Sequence, residues 1–224
     1  MHPTLRGLPE DILICQLSYD DEIDGSWKRF LTDAEIDRRA GMKNEGRKRS
    51  FTLGRVALRS LLAGHLGIQP RDVALIVEES GRLACPNSGL YLSLAHSGDQ
   101  AIAIAAPRNV GVDMEVIREK PEALLNYILA DGERQHIKEL PLDVTHSLFL
   151  CWTLKEAVLK ANGTGLRRSP KKVELEIDLE AGSALATDPE GQSWTARFTI
   201  EKEYVLSLAF ESNLQSTDAV AESG

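Results

Sequence analysis

Leu53-Gly-Arg-Val-Ala-Leu-Arg59 lines up with Leu154-Lys-Glu-Ala-Val-Leu-Lys160, 101 positions further on. The apolar run Val73–Glu78 has its counterpart at Val173–Asp178, 100 positions on. A helix and then a strand, repeated at a nearly constant offset, restrict a chain of 224 residues to two similar α/β halves, unless two amphipathic helices resemble each other by chance. The expected fold is α+β, with a pseudo-twofold relation between halves 1–108 and 109–211. The cleft between the halves is the natural ligand site. Residues 212–224 are polar and are expected to form a mobile tail.

Local signals fill in the halves. The run 11–17 reads as a buried strand. Thr32-Asp-Ala-Glu35 has capping-box spacing and opens a helix toward Gly41. A second helix covers about 47–66 and stops at Gly67. Val73–Glu78, Leu90–Leu94, Ala101–Ala105 and Val110–Ile117 read as strands, with His96-Ser97-Gly98-Asp99 as a loop. Pro121 opens a helix to about Ala130, and another short helix ends before Pro141. Residues 145–162 form the longest helical pattern. Val173–Leu179, Trp194–Ile200 and Tyr204–Phe210 alternate as strands.

Hydrophobic residues make up 42% and charged residues 27%, so a fibrous or largely disordered chain is excluded. No run approaches the roughly 18 apolar residues of a spanning helix, and the first residues lack a signal-peptide layout. Cys15, Cys85 and Cys151 are odd in number and far apart, as expected of reduced thiols in a cytoplasmic protein. A net charge of -8 argues against a nucleic-acid binder. Residues 38–59 nevertheless hold eight basic side chains and one acid, Glu45. That patch suits a small anionic ligand or an acidic partner surface.

Asp113 and Glu115 alternate onto one side of a strand, about 7 Å apart, where they can share a hard cation. An acidic solvent face is the alternative. On the helix, Trp152, Glu156 and Lys160 lie along one side. Glu156 and Lys160 are either a surface pair or, beside the packed Phe149 and Leu150, a charged pair that needs partners. Three carboxylates and a lysine suit phosphoryl chemistry. His96 can donate to a phosphate oxygen or bond within its turn.

Gly111-Val-Asp-Met-Glu115, followed some forty residues later by Trp152-Thr-Leu-Lys-Glu-Ala-Val-Leu-Lys160, resembles the paired signature of 4′-phosphopantetheinyl transferases. Length and layout are similar to the long, monomeric branch of surfactin-synthetase-activating type. Lys48-Arg-Ser-Phe51 with Gly54-Arg55, the turn Gly81-Arg82 and Leu92-Ser-Leu-Ala-His-Ser-Gly98 are similar to the family's upstream motifs, with Ala95 where many relatives have serine. The resemblance implies transfer of 4′-phosphopantetheine from coenzyme A to a serine of an apo acyl or peptidyl carrier protein, releasing 3′,5′-ADP. It implies Mg²⁺ on Asp113, Glu115 and Glu156. Coenzyme A contacts are expected from Arg49, Arg55, Arg82, His96, Lys155 and Lys160, with Arg49 favoured for the 3′-phosphate. Lys160 is expected to act at the reacting phosphate, and the serine's general base to be Glu156 or, second, Glu133. A monomer without nucleic-acid or membrane partners is expected. A non-catalytic coenzyme A-binding protein that kept the pocket is the alternative.

Overall fold

The computed structural model describes residues 5–19, 21–118, 122–130, 133–163 and 168–212. The expected tail beyond Ser212 and the expected helix start at Pro121 lie outside the described residues. The first half runs β1 (Leu13–Ser18), α1 (Asp21–Ser26), α2 (Asp33–Ala40), α3 (Glu45–Leu66), β2 (Ile76–Val77), β3 (Leu83–Ala84), β4 (Tyr91–Ser97) and β5 (Gln100–Ala106). The second runs β6 (Val110–Val116), α4 (Glu122–Ile128), α5 (Glu133–Glu139), α6 (Val144–Ala161), β7 (Glu174–Asp178), β8 (Ser183–Thr187), β9 (Ser193–Ile200) and β10 (Tyr204–Glu211).

The two antiparallel sheets have strand orders β1-β5-β4-β3-β2 and β6-β10-β9-β8-β7. Each opens with a strand that pairs with the last strand of its half, and each carries its long helix between its first and second strands. A turn of 3₁₀ helix follows each long helix, at Pro70–Asp72 and Pro170–Lys172. The repeat in the sequence is therefore a repeat of topology, and the fold is α+β with two similar halves.

Local chemistry sets the helix ends. The Thr32 hydroxyl accepts from Glu35 N, and Glu35 Oε2 accepts from Thr32 N, which closes the capping box of α2. Asn44 caps α3, and Gly67, at φ +68°, takes the left-handed conformation that ends it. Asp143 caps α6 by accepting from Thr145 N and His146 N. This starts the helix one residue before the expected Thr145.

Each sheet buries one face under its long helix. Leu58 and Leu62 of α3 pack on Ala103 and Ala105. Phe149, Leu154 and Val158 of α6 pack on Trp194, Ala196 and Val205. A third cluster joins the sheets through Ile102, Ile104, Val110, Val112, Met114, Leu206 and Leu208. No helix among the described residues is long and apolar enough to cross a membrane.

Two expectations need correction, and one strand was not expected. The strand expected at Val73–Glu78 shrinks to Ile76–Val77. Buried Arg59 explains why: its Nη1 donates to the carbonyls of Pro70, Arg71 and Val73, at 2.8, 3.2 and 3.0 Å. Those carbonyls serve a side chain instead of a ladder. His96 and Ser97 belong to strand β4, not to a loop, because Ser97 pairs with Gln100 and leaves only Gly98 and Asp99 as the turn. Gly98, at φ +57°, supplies the positive φ that two-residue hairpins demand. Strand β8 gave no sequence signal, since its core-facing residues are Ala184 and Ala186 while Leu185 faces solvent.

Candidate active site

The site begins with a glycine. A Cβ built on Gly111 would lie 1.9 Å from Ala157 O and 2.4 Å from Ala161 N. Only glycine allows α6 to lie this close to β6. Strand alternation then turns Asp113 and Glu115 to the same side as Gly111, toward α6. Glu156 and Lys160, one helical turn apart, come down on them.

Lys160 Nζ donates to Asp113 Oδ1 at 2.7 Å and to Val112 O at 2.9 Å. It also lies 3.4 Å from Leu94 O, which belongs to β4 in the other half. The same seam is closed by two serines of β4. Ser93 Oγ accepts from Val112 N and Ser97 Oγ from Val116 N, both at 3.0 Å. The outer edge of β6 thus finds partners in β4 side chains instead of a neighbouring strand. Ser97 Oγ also donates to Glu115 Oε2 at 3.2 Å, and Arg118 Nη2 stands 3.8 Å from that oxygen.

Two carboxylate oxygens here, Asp113 Oδ2 and Glu156 Oε1, are buried without a hydrogen-bond partner among the described residues. Burial raises the Asp113 carboxyl above its ordinary value against the opposing pull of Lys160. Burial, and then the charge of Asp113, pushes Glu156 up to about 7. Orphaned, desolvated carboxylate oxygens from a strand and a helix are a donor set that fits a hard cation such as Mg²⁺. The expected convergence of three carboxylates on one point is not how the side chains stand. Among the described residues no group of three His, Cys, Asp or Glu side chains is arranged to hold a metal. Asp113 is drawn to Lys160, and Glu115 to Ser97 and Arg118.

Beside this group lies a cleft of about 460 Å³ whose walls include Arg38, Arg47, Ser50, Phe51, Arg55 and His96. Loss of water around His96, and then the charge of Lys160, lower the imidazole pKa, while Asp113 opposes them. His96 is therefore the point where the basic cleft meets the carboxylate–lysine group.

The remaining expected site residues fall elsewhere. Arg49 lies over the Tyr19 ring and 3.7 Å from Asp99, and is not among the residues of the cleft wall. Arg82 stacks on Tyr91 and lines a neighbouring depression. Its Nη2 is buried without an acceptor among the described residues. Lys155 is fully buried, with Nζ on Glu133 Oε2 at 2.6 Å and 3.3 Å from Ile128 O. Glu133 Oε2 in turn accepts from Ala130 N at 2.8 Å. Lys155 and Glu133 thus satisfy each other where α5 meets α6. One residue is 100° of helix, and that rotation carries Lys155 off the face of Glu156. The cysteines are unpaired, and burial pushes the Cys151 thiol up to about 12.

Sequence reasoning passed over Gly111, Ser93 and Ser97 as parts of the site, and held Arg38 and Arg47 only as members of the basic patch at 38–59. A lone glycine within a strand does signal close backbone approach, and serines four positions apart on one strand face share one edge. Neither signal says what the partner is.

The family model of the 4′-phosphopantetheinyl transferase superfamily matches residues 109–209. Over 150 residues the chain is 33% identical to 4′-phosphopantetheinyl transferase HetI of Nostoc sp., and the match spans 63% of each protein, under two thirds of that relative's length. Over 175 residues it is 29% identical to a putative 4′-phosphopantetheinyl transferase, slr0495, of Synechocystis sp., covering 75% of this chain and 71% of that protein. A holo-(acyl-carrier-protein) synthase of Bacillus anthracis, solved in complex with coenzyme A, superposes with a TM-score of 0.40 at 22% identity, over 46% of this chain and 96% of that one. The matched region holds Gly111, Asp113, Glu115, Glu156 and Lys160, and over it the chain is similar to the 4′-phosphopantetheinyl transferase superfamily.

Proposed function

We propose that this chain transfers 4′-phosphopantetheine from coenzyme A to a serine of an apo acyl or peptidyl carrier protein. The observation that carries the reading is the place of Lys160. It reaches Asp113 on β6 and the Leu94 carbonyl on β4, at the seam where His96 and the basic cleft adjoin buried carboxylates. Polyanion binding and carboxylate chemistry thus share one wall.

The carrier serine Oγ bonds to the phosphorus that bears pantetheine, and the bond from that phosphorus to the bridging oxygen breaks. 3′,5′-ADP leaves with the electron pair. His96, Arg47 and Arg55 bind coenzyme A phosphates in this reading, and Lys160 offsets charge that develops on the leaving phosphate. Glu156 accepts the serine proton, directly or through water. Asp113 and Glu156, with Glu115 beside them, would hold Mg²⁺, which when bound neutralises the diphosphate. Lys155 and Glu133 have no contact role here; they brace α5 on α6. Because one chain supplies both sides of the seam, a monomer suffices.

The test is mass spectrometry of candidate apo carriers incubated with the protein, coenzyme A and Mg²⁺. A carrier that gains one phosphopantetheine, with matching release of 3′,5′-ADP, supports the reading. Coenzyme A binding with no transfer to any carrier would reduce the chain to a binding protein.

A further inference from the structure

Two buried arginines of α3 share one carboxylate. Glu35 Oε2 accepts from Arg59 Nε at 2.9 Å, and Glu35 Oε1 lies 3.4 Å from Arg55 Nε. Arg59 is spent on the structure, since its Nη1 holds three carbonyls of the turn that follows α3. Arg55 differs. It lines the cleft with His96, and among the described residues no hydrogen bond from its Nη groups is formed. Arg38 and Arg55 both lie over the Phe51 ring, with guanidinium carbons 5.3 and 5.4 Å from its centroid. Two cations against one carboxylate leave a surplus positive charge at a buried position, and the cleft is where an anion could complete it. Glu35 is itself fixed, because its Oε2 closes the capping box with Thr32.

We infer that Glu35 is a positioning residue for phosphate recognition. It grips the Nε edge of Arg55 so that the opposite edge of the guanidinium is pre-set for the phosphate monoester of coenzyme A. The inference rests on the reading that coenzyme A occupies this cleft. Its physical content is preorganisation: a planar fork held on one edge by a carboxylate and on its face by a ring loses little freedom when its other edge meets phosphate. Carboxylate removal alone would make the cleft more positive and tighten anion binding, so positioning and simple electrostatics give opposite signs.

The experiment compares dissociation constants for coenzyme A and dephospho-coenzyme A, which lacks the 3′-phosphate, by calorimetry on the full chain. The ratio of the two reports the phosphate monoester, and a merely structural role would not move it. Wild type should prefer coenzyme A. Glu35→Gln should shrink that preference about 10-fold, the size of one charge-assisted hydrogen bond. Arg55→Gln should do the same, and the double variant should lose no more than either alone. If Glu35→Gln does not fold, Arg55→Lys decides: it keeps the charge but not the two-edged fork, and should lose the preference to a similar degree. An unchanged or increased preference in Glu35→Gln, or in Arg55→Lys where that variant decides, overturns the inference while leaving the functional reading intact. So do losses that add in the double variant. Wild-type protein that does not bind coenzyme A overturns both.

Discussion

Gly111 lies directly beneath the carbonyl of Ala157, and a methyl group on its Cα would sit 1.9 Å from that oxygen. The atoms it would meet, Ala157 O, Ala161 N and Ala157 C, are all helix backbone, so no side-chain rotation can make room. Gly111→Ala must push α6 off β6, and with it Glu156 and Lys160 from Asp113. We expect a loss of about 3 kcal/mol or more. Thermal unfolding should show a lowered Tm together with lost transfer activity. Gly64 is the control. It is helical and has nothing within 4 Å of an added Cβ. Gly64→Ala should stabilise by roughly 0.5–1 kcal/mol, and a lowered Tm there would show that α3 is not packed as described.

Glu156 connects cation affinity to pH. Its ordinary value is 4.5 and the folded protein raises it to about 7. The folded state then holds a proton that the unfolded chain has released. The contribution of this group to stability is complete below about pH 4.5 and falls as pH rises through about 7. A cation on the ionised carboxylate reverses that loss and expels the proton. Added Mg²⁺ should therefore raise Tm more at pH 7.5 than at pH 5.5. Calorimetry in buffers of different ionisation enthalpy should show proton release on binding. Glu156→Gln should abolish both effects, and a Mg²⁺ stabilisation independent of pH would count against Glu156 as a ligand.

Lys160 has two tasks that one substitution separates. Lys160→Ala removes the donor to Asp113 and also leaves the Val112 and Leu94 carbonyls short of a partner at the seam. Stability should fall by about 1–3 kcal/mol. In single-turnover transfer with coenzyme A saturating, the chemical rate should fall more than coenzyme A affinity. A normal rate with only a raised coenzyme A requirement would make Lys160 a binding contact. Lys160→Arg should rescue partly, since it keeps the charge but not the compact ammonium.

Lys155 tests the separation of the two faces of α6. Its side chain is fully buried, whereas Glu133 is about a quarter exposed. Lys155→Ala should cost roughly 2–3 kcal/mol, less than a fully enclosed pair, because water can reach the stranded carboxylate. Coenzyme A affinity measured on the folded variant should stay within about 2-fold, well inside the effect of one lost charged hydrogen bond. A large drop in affinity with unchanged Tm would restore Lys155 as a ligand contact.

The sequence by itself determined most helices and strands and suggested the duplication, because local elements rest on interactions between near neighbours. Thr32 and Glu35 close their box three residues apart, and Gly67 ends α3 on its own backbone. Asp113 and Glu115 share a face because a strand alternates, and Glu156 stands one turn from Lys160 because a helix repeats. Only the tertiary structure decided which charges became a site. Of the basic residues in α3, Arg59 was taken by backbone carbonyls, Arg49 went to Tyr19 and Asp99, and Arg55 reached the cleft. Lys155 and Glu156 are adjacent in sequence, yet one braces α5 and the other meets Asp113. Such choices depend on contacts tens of residues apart, such as Lys160 with Leu94 and Gly111 with Ala157. A buried charge must find its counter-charge or acceptor wherever the packed backbone supplies one, and a list of residues does not contain that geometry.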